Sequence, residues 1–129
     1  MQNSFQMISV AKKSVTERVA VASGRIIVGT QAFNLIKEKK LPKGDVLLLC
    51  EIAGIQGAKN TAQNIPLCHP LNLDHVEIKT ELIEHDFSVQ VTCQVMATAK
   101  TGVEMEALTG VNAALLTIYD LTKMINADL

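Results

Sequence analysis

Aromatic residues are nearly missing from this chain, which has three Phe, one Tyr and no Trp in 129 residues. So few rings exclude a platform for stacking single-stranded bases. With 48% hydrophobic residues, the core must instead be built from aliphatic side chains. Excess charge is missing as well. Twelve basic against 13 acidic residues leave a net charge of -1 and a pI near 6.3, which excludes the basic footprint of a nucleic-acid or anionic-membrane binder. Cys50, Cys68 and Cys93 are odd in number and widely spaced, so neither a disulfide framework nor a Cys-x-x-Cys zinc site is readable, and a reducing cytoplasm suits them. No apolar run reaches membrane-spanning length. The segment Met1-Gln2-Asn3-Ser4-Phe5 lacks the basic and apolar parts of a secretory leader, so a soluble cytoplasmic protein is expected. Repeats and low-complexity linkers are also absent, and the length fits a single domain over residues 1–129.

What is present falls into strands and helices in a mixed order. Val19 to Val28 alternates and is rich in Val and Ile, as a strand does. Gln31 to Lys39 suits a short helix with cations near its C-terminus. After the break at Pro42-Lys43-Gly44, Asp45 is the expected N-cap of a second helix reaching about Thr61. That helix is apolar nearly all round, so burial is expected, and Gly54 and Gly57 inside it predict close approach of another backbone. Val76 to Ile83 and Phe87 to Thr98 read as an antiparallel hairpin turning at Glu84-His85-Asp86. A long helix from Gly102 to about Asn126 follows. Strand, two helices, hairpin and helix predict an α+β fold with helices packed on one face of an antiparallel sheet. The sheet's mixed second face leaves room for a partner subunit.

Two stretches carry chemistry beyond what packing needs. Asn64-Ile65-Pro66-Leu67-Cys68-His69-Pro70 is a Pro-bracketed turn holding a thiol and an imidazole. No orienting carboxylate or second ligand pair makes it a readable metal or nucleophile site, and no metal ligand is assigned. The second stretch, Lys100 to Thr109, opens the last helix. Thr101 and Glu104 have capping-box spacing, which gives Glu104 a structural duty, whereas Glu106 lies past the cap and has none. At 100° per residue Glu106, Gly110, Ala113, Thr117, Asp120 and Met124 share one face, expected to point away from a core stripe of Leu108, Val111, Leu115, Ile118 and Ile125. Such small residues admit a partner helix or a ligand. Glu106 and Asp120 are separated by roughly 21 Å along the axis, so one compact substrate could meet both only if two copies cross antiparallel. Asp120 and Lys123 also have the spacing of an ordinary helix-surface ion pair, and Lys43 that of a solvated loop lysine. His75 and His85 read as surface histidines near strand ends.

Several segments together resemble the molybdenum cofactor biosynthesis protein C (MoaC) family, the cyclic pyranopterin monophosphate synthases. They are Lys43-Gly44-Asp45-Val46, Ala53 to Lys59, Ile65 to Leu71, Lys100 to Thr109, and Ala114 to Asp120 with Lys123, joined near the start by Lys13, Thr16, Arg18 and Ala20. The resemblance covers nearly the whole chain. It implies a ferredoxin-like fold assembled as a hexamer, a trimer of dimers, with each active site at a dimer interface. It implies a lyase reaction in molybdenum cofactor biosynthesis: (8S)-3',8-cyclo-7,8-dihydroguanosine 5'-triphosphate becomes cyclic pyranopterin monophosphate, and pyrophosphate leaves. By resemblance Asp120, Lys43 and Lys123 take the catalytic positions, and Leu67, Cys68, His69, Met105 and Glu106 contact the substrate. No resident cofactor is implied, although Mg2+ often travels with a triphosphate. The chain departs from the family in reading Met7-Ile8-Ser9-Val10-Ala11 where an Asp is usual. It also ends at Asn126-Ala127-Asp128-Leu129, without the family's C-terminal strand and Gly/Lys-rich tail. A pterin- or nucleotide-binding or scaffold module without turnover is therefore the alternative expectation.

Overall fold

The computed structural model describes residues 7–125. Strand β1 (Thr16–Ile27) leads into helix α1 (Thr30–Lys37), helix α2 (Val46–Lys59) and the single turn α3 (Thr61–Asn64). Strands β2 (His75–Ile83) and β3 (Ser88–Ala99) follow, and helix α4 (Glu104–Thr122) completes the described chain. The sheet order is β1-β3-β2, antiparallel throughout, with Gly24 opposite Val91 and Lys79 opposite Thr92. Helices α2 and α4 pack on each other, α4 lies over β1 and β3, and α2 lies over β2. This is the expected ferredoxin-like α+β layer.

Alternation in β3 decides which side is inside. Val89, Val91, Cys93, Val95 and Ala97 are completely buried, while Gln90, Thr92, Gln94 and Met96 on the other face are half-buried. Each fully buried Val, Leu or Ile contributes about 1.5–3 kcal/mol by leaving water. Phe33 and Phe87 meet edge to face, 5.7 Å between centroids, and close the core beneath α1. Asp45 caps α2 as expected, its carboxylate accepting from the Leu48 amide at 3.2 Å. The close approach read from the glycines is also present. A Cβ on Gly57 would lie 2.5 Å from the Ala113 Cβ, and one on Gly110 would lie 3.1 Å from the Gly54 carbonyl.

Five expectations need correction. Helix α2 is not buried all round: only Val46, Cys50, Gly54 and Ala58 are, a narrow i, i+4 stripe, while Leu48, Leu49, Ile52 and Ile55 are exposed in the single chain. The helix also ends at Lys59 rather than near Thr61. Helix α4 begins at Glu104, with Val103 at the N-cap and no side-chain cap. Burial of Val103 sets the entry of the chain, so Thr101 and Glu104 do not form a capping box. The helix ends at Thr122, with residues 123–125 in a turn, short of the expected Asn126. Finally, the small-residue face of α4 does not point away from the core. Glu106 and Gly110 are buried and Leu108 is exposed, because the small face is the seat of α2.

Candidate functional site

The antiparallel packing of α2 on α4 creates two distinct chemical clusters, one at each end of α4. At the C-terminal end, Lys123 Nζ lies 3.0 Å from Asp120 Oδ1. Lys43, from the Pro-Lys-Gly break before α2, adds its charge to the same carboxylate. Asp120 is accordingly held below the usual carboxylate range, first by its hydrogen bond from Lys123, then by the Lys123 and Lys43 charges. Lys123 is raised in turn, by its hydrogen bond to Asp120 and then by the charge of that carboxylate. The exposed i, i+3 pair alone would be unremarkable. A third charged group arriving from another element is what separates this cluster from a helix-surface ion pair.

The N-terminal end of α4 is its opposite in character. Glu106 is 3% exposed, and among the described residues its Oε1 has no hydrogen-bond partner. The other oxygen, Oε2, faces the Cys68 thiol at 3.6 Å. Burial pushes the Glu106 carboxyl above its ordinary value. Cys68 is raised as well, by burial first and then by the Glu106 charge. The turn is shaped by a bond from the Cys68 amide to the Ile65 carbonyl, 3.1 Å, which aims the thiol at α4. Leu67 and His69 line a cavity of ≈ 300 Å³ with Lys13 and Thr101, and Met105 is partly exposed at the start of α4.

All eight residues singled out by resemblance therefore fall into these two places: Lys43, Asp120 and Lys123 in one, Leu67, Cys68, His69, Met105 and Glu106 at or near the other. The single chain does not bring the two together, since they stand about 21 Å apart along α4. Residue-by-residue reading left Lys59 without a role. It lines a small cavity of ≈ 100 Å³ beside Glu106 and a larger one of ≈ 450 Å³ with Asp74 and His75. Its position just past Gly54 and Gly57 was the available signal, because those glycines set where α2 ends against α4. Arg18 donates to the Lys100 carbonyl at 3.2 Å and so ties β1 to the entrance of α4. Among the described residues, no group of three His, Cys, Asp and Glu side chains is placed to hold a metal ion, and no helix is long and apolar enough to cross a membrane.

Comparison with known proteins places the chain among relatives. The MoaC family pattern matches residues 7–129. A molybdenum cofactor biosynthesis bifunctional protein of Synechococcus elongatus is 50% identical over 121 residues, covering 94% of this chain and 38% of that protein. A cyclic pyranopterin monophosphate synthase of Clostridium botulinum is 48% identical over 120 residues, covering 93% of this chain and 76% of the synthase. The human molybdenum cofactor biosynthesis protein 1 is 45% identical over 125 residues, covering 95% of this chain and 19% of that protein. The chain thus spans most of a stand-alone relative and a minor part of the longer ones.

Proposed function

The chain belongs to the MoaC family, and from that premise and the two clusters we propose that it is a cyclic pyranopterin monophosphate synthase. It converts (8S)-3',8-cyclo-7,8-dihydroguanosine 5'-triphosphate to cyclic pyranopterin monophosphate, releasing pyrophosphate as a lyase of molybdenum cofactor biosynthesis. One observation carries this reading. A buried carboxyl facing the Cys68 thiol and an exposed Asp120–Lys123 pair under the charge of Lys43 occur at opposite ends of one helix.

In this proposal Asp120 moves a proton or orients Lys123, while Lys43 and Lys123 offset the negative charge of the leaving pyrophosphate. Leu67, Cys68, His69, Met105 and Glu106 hold the ring system. Mg2+ enters, where it is used, on the triphosphate. Because one chain separates the clusters, the site is completed between two copies crossing antiparallel. The exposed apolar side of α2, Leu48, Leu49, Ile52 and Ile55, supplies the area for such a contact. A hexamer built as a trimer of dimers accommodates three such pairs, and the reducing cytoplasm is the fitting compartment for three free thiols. Purified chain incubated with the cyclised dihydro-GTP intermediate is expected to form pyrophosphate and the pterin product, and Asp120→Asn is expected not to. Ligand binding without product from the parent chain would mark it as a binding module instead.

A further inference from the structure

Lys59 closes helix α2 and is the only cation in its last turn. Just beyond it the chain bends: Thr61, itself buried, donates its hydroxyl to the Ala58 carbonyl at 2.8 Å. Ala58, the residue before Lys59, seats on α4 at Gly110, where an added Cβ would lie 3.4 Å from the Ala58 Cβ. Gly110 and Glu106 stand one turn apart on the same face of α4. The end of α2 is thereby pinned beside Glu106. Lys59 and Glu106 line one cavity of ≈ 100 Å³, bounded elsewhere by Thr61, Pro70 and Leu71.

That cavity contains an unmet acceptor. Glu106 is buried, and its Oε1 has no hydrogen-bond partner among the described residues. A carboxylate withdrawn from water with an open lone pair is costly, so it takes up a proton or a cation approaches it. The surrounding groups leave one candidate for the cation. Cys68, from the 66–70 turn, faces the other oxygen and carries no positive charge. Burial first, and then the negative Glu104 on the same helix, favour the protonated form. No residue of the sheet lines the cavity. From α2 comes Lys59, exposed and without an ion-pair partner among the described residues, on a flexible four-carbon stem. Its side chain also borders the ≈ 450 Å³ groove between α2 and the start of β2. In that groove Asp74 is already engaged by the Thr98 hydroxyl at 3.0 Å.

We propose that Lys59 is the counter-cation of Glu106: its ammonium swings from the outer groove into the cavity and pairs with Oε1. The pair gives this end of α4 two states. With Lys59 outside, Glu106 keeps a proton and its hydroxyl donates; with Lys59 inside, Glu106 is a carboxylate that only accepts. The cavity has room for the ammonium, since a single water needs only about 10–15 Å³ of such volume. Lys59 thus acts through Glu106, as a positioning residue. The pairing stands on the cavity alone, and its use in turnover rests on the function proposed above.

Carbon-13 NMR of the side-chain carboxyl groups tests the pairing on the intact chain, without substrate, with Glu106→Gln identifying the Glu106 signal. Lys59→Met removes the cation and is expected to move the Glu106 titration to higher pH by about one unit or more, the effect of losing an opposite charge at close range. Lys59→Arg is expected to keep it near the parent's. Lys59 is exposed, so both variants should fold, and an Asp120 titration that stays in place in the same spectra verifies it. A Glu106 step at the same pH in the parent and in Lys59→Met overturns the proposal and would mean that water alone satisfies Oε1. Equal displacement by Lys59→Met and Lys59→Arg also overturns it, because the change would then come from packing of the stem. In turnover, the limb of the kcat/KM profile governed by Glu106 should move with the NMR step in Lys59→Met. An inactive parent contradicts the function proposed above and not the pairing, which the titration decides by itself.

Discussion

The two ends of α4 carry the same kind of group, a carboxylate, in opposite circumstances. Glu106 sits under α2 and the 66–70 turn, buried, with one oxygen unpartnered among the described residues and its affinity for a proton increased. Asp120 stands exposed at the other end, paired with Lys123 and under the more distant charge of Lys43, with its affinity for a proton decreased. Both sit within about 40° of one another on the helical wheel, so the difference comes from what covers them. Helix α2 and the turn desolvate the first, whereas the break that carries Lys43 leaves the second open and adds a cation. A buried carboxyl is suited to recognition by fixed geometry, an exposed charged cluster to moving protons and meeting phosphates.

The contrast can be broken from either end. The largest effect is expected at the charged end. Asp120→Asn should lower turnover by about 10²–10⁴-fold, while urea unfolding stays within about 0.5 kcal/mol of the parent because the site is exposed. A comparable loss of stability would show that Asp120 acts through the fold. At the dry end the dominant effect is on packing. Gly110→Val sets a side chain where a Cβ alone would lie 2.7 Å from the Cys93 sulfur and 3.1 Å from the Gly54 carbonyl. Overpacking of this kind costs about 1–3 kcal/mol or more, readable as a fall in the unfolding midpoint. Asp45→Ala removes the cap beside Lys43 and should cost about 1 kcal/mol.

The smallest expected effect is the sharpest discriminator. Glu106 binds its proton more tightly in the folded state than in the unfolded state. Its contribution to stability is therefore complete below the ordinary carboxyl range and is lost as pH rises through the raised folded-state value. Glu106→Gln should flatten that part of the stability-pH curve. For Asp120 the sign is reversed: its contribution is present above the ordinary carboxyl range and fades as pH falls through the depressed value. Asp120→Asn should alter only the acid limb. An unchanged curve for Glu106→Gln would mean that the pocket is wet.

How far the sequence foretold this depends on the kind of signal. Asp45 was legible as a cap and the strands as strands because cap chemistry and alternation are local. Gly54 and Gly57 announced a close approach correctly because nothing else explains two glycines in an apolar helix. Most of the core stripe of α4 was legible, since Val111 and Ile118 are buried and Leu115 and Ile125 pack on the core, but the burial of its small-residue face was not. A helical wheel relates residues to one another and does not say where the core lies, and α4 has apolar side chains all round. Glu106 was consequently assigned to the outer face. Thr101 and Glu104 matched a capping box, yet burial of Val103 set the helix start. Tertiary packing overrode a local motif there. The apolar character of α2 was read as burial within one chain, whereas half of it remains exposed and available to a second copy.

That a working site joins the dry end of one copy to the charged end of another is the central claim, and mixing inactive variants tests it most directly. Asp120→Asn and Glu106→Gln are each expected to lack turnover of the cyclised dihydro-GTP intermediate under conditions where the parent is active. After dissociation and reassembly together, random pairing leaves one whole site in half of the pairs, so about a quarter of parent activity should return. A mixture that stays inactive despite exchanging subunits would mean that both residues serve one chain, or that only one of them serves the reaction.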